Sequence, residues 1–92
     1  MEEIFSKAVK DEGSGLCLMY SILSCDDPLR TDMDYNRIYS LSITEYAGML
    51  DYESVFVFDV TRIRERALEI ARLMCENTVT PCTVYDILDD IL

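Results

Sequence analysis

The side chains able to do chemistry in this chain are few in kind. There is no histidine among its 92 residues, so neither a Ser-His-Asp nor a Cys-His nucleophile system can be assembled within one chain. What remains is four cysteines, 18 carboxylates and six tyrosines. Cys17, Cys25, Cys75 and Cys82 contain no CxxC pair, whereas a four-thiolate zinc site normally takes two close pairs. They read as reduced thiols packed as small hydrophobes, with a Cys75 to Cys82 contact across a helical hinge left open. The adjacent acids Asp26-Asp27 and Asp89-Asp90 have the composition for acid-base work or calcium binding, but the spaced, glycine-containing calcium loop is absent. Neither a GxxxxGK[ST] nor a GxGxxG loop exists to cradle phosphate, and Gly13-Ser14-Gly15 is only a turn. The expectation is a protein that is not an enzyme and that carries no cofactor and no metal.

Charge narrows the partners. Eighteen acidic residues against eight basic ones give a formal charge of −10, a field that repels nucleic-acid phosphates and anionic lipid. Direct nucleic-acid binding is not expected. The acidity keeps a small protein from associating, marks a docking surface for a basic protein partner, or mimics DNA. The N-terminus, MEEIFSKAVKDE, opens acidic and lacks the apolar run of a signal peptide or membrane span, so the expected setting is cytoplasmic, with no membrane. Tyr20, Tyr35, Tyr39, Tyr46, Tyr52 and Tyr85 either line a binding surface or, more commonly, half-bury themselves in a sheet.

The elements that must position these groups begin as strands. Ile4 to Lys10 is a short mixed run followed by a glycine-containing turn over 11–15. Leu16 to Ser24 is apolar on both alternating faces, which suits an interior strand, with Leu16, Leu18, Tyr20 and Ile22 on one side and Cys17, Met19 and Leu23 on the other. Cys25 to Asp34, with its acids and Pro28, reads as a loop. From Tyr35 to Tyr46, Tyr39, Leu41 and Ile43 alternate with Ser40, Ser42 and Thr44, the pattern of a half-buried antiparallel strand. The chain turns through Gly48, and Ser54 to Val60 forms a last strand with Phe56, Phe58 and Val60 opposite Val55 and Val57.

Two helices follow, over 61–77 and 80–92. Thr61 is the expected N-cap of the first, and Ile63, Ala67, Ile70, Ala71 and Met74 form its apolar stripe. Glu65, Glu69, Arg72 and Glu76 make the solvated face, with pairs expected from Glu69 to Arg72 and from Arg72 to Glu76. Asn77 suits a left-handed stop. Thr80 as N-cap, Pro81 at the first helical position and Val79 stapled onto Val84 start the second helix. Its last turn holds Asp89 and Asp90 where the macrodipole is already negative, at a cost of a few tenths to about 1 kcal/mol per charge. Packing of the Val84, Ile87, Leu88, Ile91 and Leu92 stripe is expected to offset this. The functional alternative is that Asp86, Asp89 and Asp90 present an acidic edge to a basic groove.

The stretch Asp59 to Leu92, with DVT, a helix and then NTVTPCTVYDILDDIL, resembles the C-terminal signature of a family of short, mainly Gram-positive bacterial proteins catalogued only as a domain of unknown function. The resemblance implies a small cytosolic protein and supplies no activity, substrate or site residue.

Together these readings predict one α+β domain over 1–92: an antiparallel sheet of about four strands in meander order, followed by two C-terminal helices packed on one face. The other face, with Cys17, Met19, Leu23, Val55 and Val57, is then unusually apolar for a water-facing surface and suits a homodimer interface. A non-enzymatic protein-interaction or regulatory module is the leading functional expectation; the alternative is a small-molecule binding domain or enzyme subunit with a pocket between sheet and helices.

Overall fold

The computed structural model describes residues 1–10, 12–13, 15–27, 37–47 and 52–91. Four strands, β1 (Glu2–Lys10), β2 (Cys17–Asp26), β3 (Arg37–Tyr46) and β4 (Tyr52–Thr61), precede helices α1 (Arg64–Glu76) and α2 (Val84–Ile91). The strands pair antiparallel in the order β1-β2-β3-β4, the expected meander. Gly15, at the close of the first hairpin turn, has φ 78, a conformation that costs glycine little and other residues much. Tyr35, Gly48 and the 28–34 part of the expected loop lie outside the described residues. Cys25 and Asp26, assigned to that loop from sequence, instead extend β2, because they pair with Ile38 and Arg37.

Register decides the faces. Tyr20 pairs with Ile43 and Ile22 with Leu41, while Leu41 and Ile43 pair in turn with Val57 and Val55. Directly paired residues share a face, so these side chains form one apolar layer. α1 lies across it, touching all four strands and burying Ala67, Ile70, Ala71 and Met74 against it. Val55 and Val57 therefore belong to the covered face, contrary to the expectation that they line the open one. Phe56 and Phe58 point outward in their place, since Phe56 pairs with Ser42 on the side opposite Leu41.

The helix boundaries follow from local bonds. Thr61 is not the N-cap of α1: it ends β4 paired with Tyr39, and its hydroxyl accepts the Ile63 amide at 3.2 Å. Ile63 takes the cap position in an extended conformation without a side-chain cap, and is itself largely exposed. At the other end Thr78, not Asn77, is the left-handed residue, with φ 51. The Thr78 amide donates to Cys75 O at 3.3 Å and the Val79 amide to Met74 O at 3.1 Å. This bond pair is a Schellman stop, and it turns Val79 inward beside Met74 in the core.

The expected start of α2 at Thr80-Pro81 is also displaced. Residues 81–83 form a turn in which the Thr83 amide bonds Thr80 O at 3.1 Å, and the regular helix begins at Val84. Thr83 Oγ1 accepts the Thr80 amide at 3.3 Å, reaching back as the third residue of a capping box does. Val79 and Val84 are both buried in the one hydrophobic cluster, as the staple reading requires. α2 returns antiparallel to α1, because Arg66 near the start of α1 bonds the carbonyl of Ile91 at the end of α2. Tyr20 ties the hinge to the sheet: its fully buried hydroxyl donates to Val79 O at 2.8 Å.

Candidate functional site

Four surfaces carry what polar or apolar chemistry the fold leaves available. The first is the outer face of α2. Asp86, Asp89 and Asp90 are all exposed, opposite the buried Val84 and Leu88, and Tyr85 beside them is 55% exposed. The unfavourable last turn has a partner the sequence did not reveal. Arg66 Nη2 donates to Ile91 O at 2.7 Å, placing a guanidinium on the negative end of the helix dipole while Nη1 pairs with Glu69 at 3.0 Å. The expected Glu69 to Arg72 and Arg72 to Glu76 pairs give way to this Arg66 to Glu69 pair. Arg72 is exposed and lines a groove beside β1.

The second surface is the end of the sheet where β2 and β4 finish and β1 and β3 begin. Arg62 grips both carboxylate oxygens of Asp59 at 3.0 Å and reaches Asp27 at 2.7 Å, where the Asp27 side chain is only 9% exposed. Asp59 sits in a bulge with φ 56, its amide donating to the buried Ser40 hydroxyl at 3.1 Å. Arg37 donates to the buried Ser24 hydroxyl at 2.6 Å and pairs with Asp26 at 2.9 Å and Glu2 at 3.4 Å. Hydrogen bonds to Asp26 and to Asp59, respectively, hold Arg37 and Arg62 above the ordinary guanidinium pKa. Asp26 and Asp27 are thus neutralised by different arginines rather than converging as an acid-base pair. No group of three or more metal-ligating side chains forms among the described residues.

The thiols are separate. Cys75 is buried and Cys82 exposed, all four cysteines are free, and the contact left open across the hinge is replaced by Cys82 Sγ donating to Glu53 at 3.6 Å. The Glu53 charge raises the Cys82 pKa, and burial raises that of Cys75 despite the opposing charge of Lys7. Both shifts lower the thiolate fraction on which cysteine nucleophilicity depends.

The third surface is the open sheet face. Among the described residues no element packs on it. Met19 and Leu23 of β2 lie half-buried there, Phe56 and Phe58 of β4 are 44% and 56% exposed, and Tyr46 meets Tyr52 across β3 and β4 at a ring separation of 6.4 Å. Cys17 lies on this face, as expected, and Cys25, in the extended end of β2, joins it. Among the described strand pairs, Glu3 opposite Leu23 and Lys10 opposite Cys17 bring charge to it, at the two ends of β1, while at the start of β3 Ile38 and Ser40 on this side are buried and Ser40 accepts the Asp59 amide.

The fourth is a groove of about 480 Å³ between β1 and α1, lined by Phe5, Lys7, Ala8, Val9, Arg72, Cys75 and Glu76. It exists because α1 crosses the sheet with small and apolar residues downward, leaving the outer edge of β1 uncovered beside the last turns of the helix.

A family model matches residues 1–92, the whole of the fold just described. The chain belongs to the Family of unknown function (DUF6514). No curated protein and no solved structure matches it. Membership covers the sheet as well as the helical third that carried the likeness in sequence. In this DUF6514 chain no described helix is long and apolar enough to cross a membrane.

Sequence reasoning named Asp86, Asp89 and Asp90, and the structure leaves all three exposed on one helix without joining them to any of the other three surfaces. It missed Phe56 and Phe58 as open-face residues, although their alternation with Val55 and Val57 was visible, because alternation divides a strand into two sides without saying which is covered. Arg66 and Lys7 carried no sequence signal beyond charge, and Arg72 was expected only as a partner of Glu69 and Glu76. Of the tyrosines, Tyr20 and Tyr39 are buried in the sheet and Tyr46, Tyr52 and Tyr85 are exposed.

Proposed function

We propose that this chain is a non-enzymatic protein-interaction module that works as a homodimer, two copies meeting through their open sheet faces. The observation that carries the reading is the apolar open face, with Phe56 and Phe58 about half exposed beside Met19 and Leu23. Charge argues for a second copy as the occupant. Two chains of charge −10 repel, and this face, on which the described strand pairs place the opposite charges Glu3 and Lys10, is where they can meet with little like-charge contact. A two-fold axis between the sheets and perpendicular to the strands sets Glu3 of one copy over Lys10 of the other and Phe56 near its own counterpart. Four strands about 4.8 Å apart and roughly ten residues long present at most roughly 600 Å² in projection, less the start of β3 where Ile38 and Ser40 are already buried, against the ~800 Å² per partner of a standard interface.

In such a dimer the two α2 helices stay on the outside. Asp86, Asp89 and Asp90 then offer a basic protein partner a paired acidic edge, acting mainly on the rate and salt dependence of encounter. A reducing, cytoplasmic setting suits four free cysteines. Sedimentation velocity tests the dimer: the wild-type chain should sediment as a dimer at about 100 µM, and Phe56→Asp as a monomer with an unchanged far-UV spectrum. A wild-type chain that stays monomeric at that concentration overturns the reading.

A further inference from the structure

We infer that the groove between β1 and α1 is a binding site for a small amphipathic carboxylate, an apolar body ending in one negative charge. Its volume of about 480 Å³ falls in the range of small-molecule pockets, roughly 300 to 1,000 Å³. Phe5, Val9 and the Cys75 thiol supply the apolar wall, and Ala8, whose side chain belongs to the other face of the sheet, lines the groove along the edge of β1. The charge arrangement selects the ligand. Only eight basic residues stand against 18 acids, and Arg37, Arg62 and Arg66 are engaged in ion pairs. Lys7 and Arg72, from two different elements, both line the groove, and neither has an ion-pair partner among the described residues.

Glu76 shares the rim but does not neutralise them: it lies four residues after Arg72 on α1, yet the two form no ion pair. With two cations and one carboxylate the groove is locally positive on a chain of charge −10, so it is a place where an anion is drawn toward this molecule rather than repelled. One charge and no more suits it, because a dianion would meet Glu76 and the surrounding acidic field. The ligand body lies along Phe5 and Val9, and its carboxylate sits between the Lys7 ammonium and the Arg72 guanidinium, where charge-assisted hydrogen bonds are available.

This site does not depend on dimer formation, since none of Lys7, Arg72 and Cys75 lies on the open face. Decanoate is a suitable probe, with decanol and decylamine as neutral and cationic matches of the same body. Titration followed by amide chemical shifts should show saturable decanoate binding with perturbations at Lys7, Ala8, Val9 and Cys75. Decanol should bind more weakly and decylamine not measurably. Lys7→Gln and Arg72→Gln, both at exposed positions and so expected to fold, should each weaken decanoate binding about threefold to tenfold. Phe56→Asp should leave it unchanged even when it abolishes the dimer. Equal binding of decanol and decanoate, shifts centred on Phe56 and Phe58, or no saturable binding at all overturns the proposal.

Discussion

At the scale of single residues, Tyr20 does more than fill space. It sits in the second strand with no exposed surface, and its hydroxyl satisfies the Val79 carbonyl at the hinge between the helices. Tyr20→Phe keeps the ring but orphans a buried carbonyl, so it should lower stability by about 1 to 3 kcal/mol in urea denaturation at neutral pH. The same residue makes stability depend on alkaline pH. Burial pushes its pKa from 10.0 to about 12, so between those values the unfolded chain has lost a proton that the folded chain retains. Stability is therefore fully supported below pH 10 and falls as pH rises toward about 12, by on the order of 1 to 3 kcal/mol. Cys75, also raised by burial, adds a slope of the same sign. Denaturation from pH 8 upward should thus show a shallower decline in Tyr20→Phe than in the wild type, the remaining slope including that of the raised Cys75 and Cys82 thiols.

At the scale of elements, α2 is the informative case. Eight residues make a helix too short to stand alone, so it persists through Val84 and Leu88 in the core and through Arg66 at its end. Arg66→Met keeps the apolar stem and removes the bond to Ile91. Hydrogen exchange should then speed up about fivefold to tenfold across α2, corresponding to roughly 1 kcal/mol, with β2 and β3 amides unaffected. Glu69→Gln, which removes only the exposed ion pair, should change exchange little. The punctuation of these helices was partly legible: Val79 and Val84 are both buried at the second start and Thr80 bonds Thr83 ahead of it, although the helix does not begin at Thr80-Pro81. The signals misplaced the boundaries by up to four residues, because Thr61 was drawn into the sheet by pairing with Tyr39 and the turn at 81–83 tightened ahead of the helix.

At the scale of the whole molecule, net charge and the neutral face act against each other. Apolar contact favours association, while a charge of −10 on each copy opposes it at long range. Raising salt from about 0.02 to about 0.3 M shortens the screening length several-fold and should therefore strengthen self-association. Binding of a basic protein to the Asp86, Asp89 and Asp90 edge should weaken over the same range. Sedimentation and pull-down measured across one salt series separate the two, since opposite slopes are expected from one chain, and parallel slopes would remove the assignment of neutral face and acidic edge to different partners.

The sequence by itself determined the four-strand meander, the two helices, the apolar stripe of α1 and the scarcity of catalytic groups, because periodicity, turn residues and composition are local properties. Only the tertiary structure decided which side of β4 the helices cover, and so that Phe56 and Phe58 rather than Val55 and Val57 face outward. Side choice is a matter of register between strands and of where α1 lands, and neither is written in any one segment. For the same reason the placing of Lys7 and Arg72 along one groove, the grip of Arg62 on Asp27 and Asp59, and the reach of Arg66 to Ile91 could not be read in advance. Each joins residues distant along the chain or turned by local geometry, through long side chains whose partners are fixed only once the layers have packed.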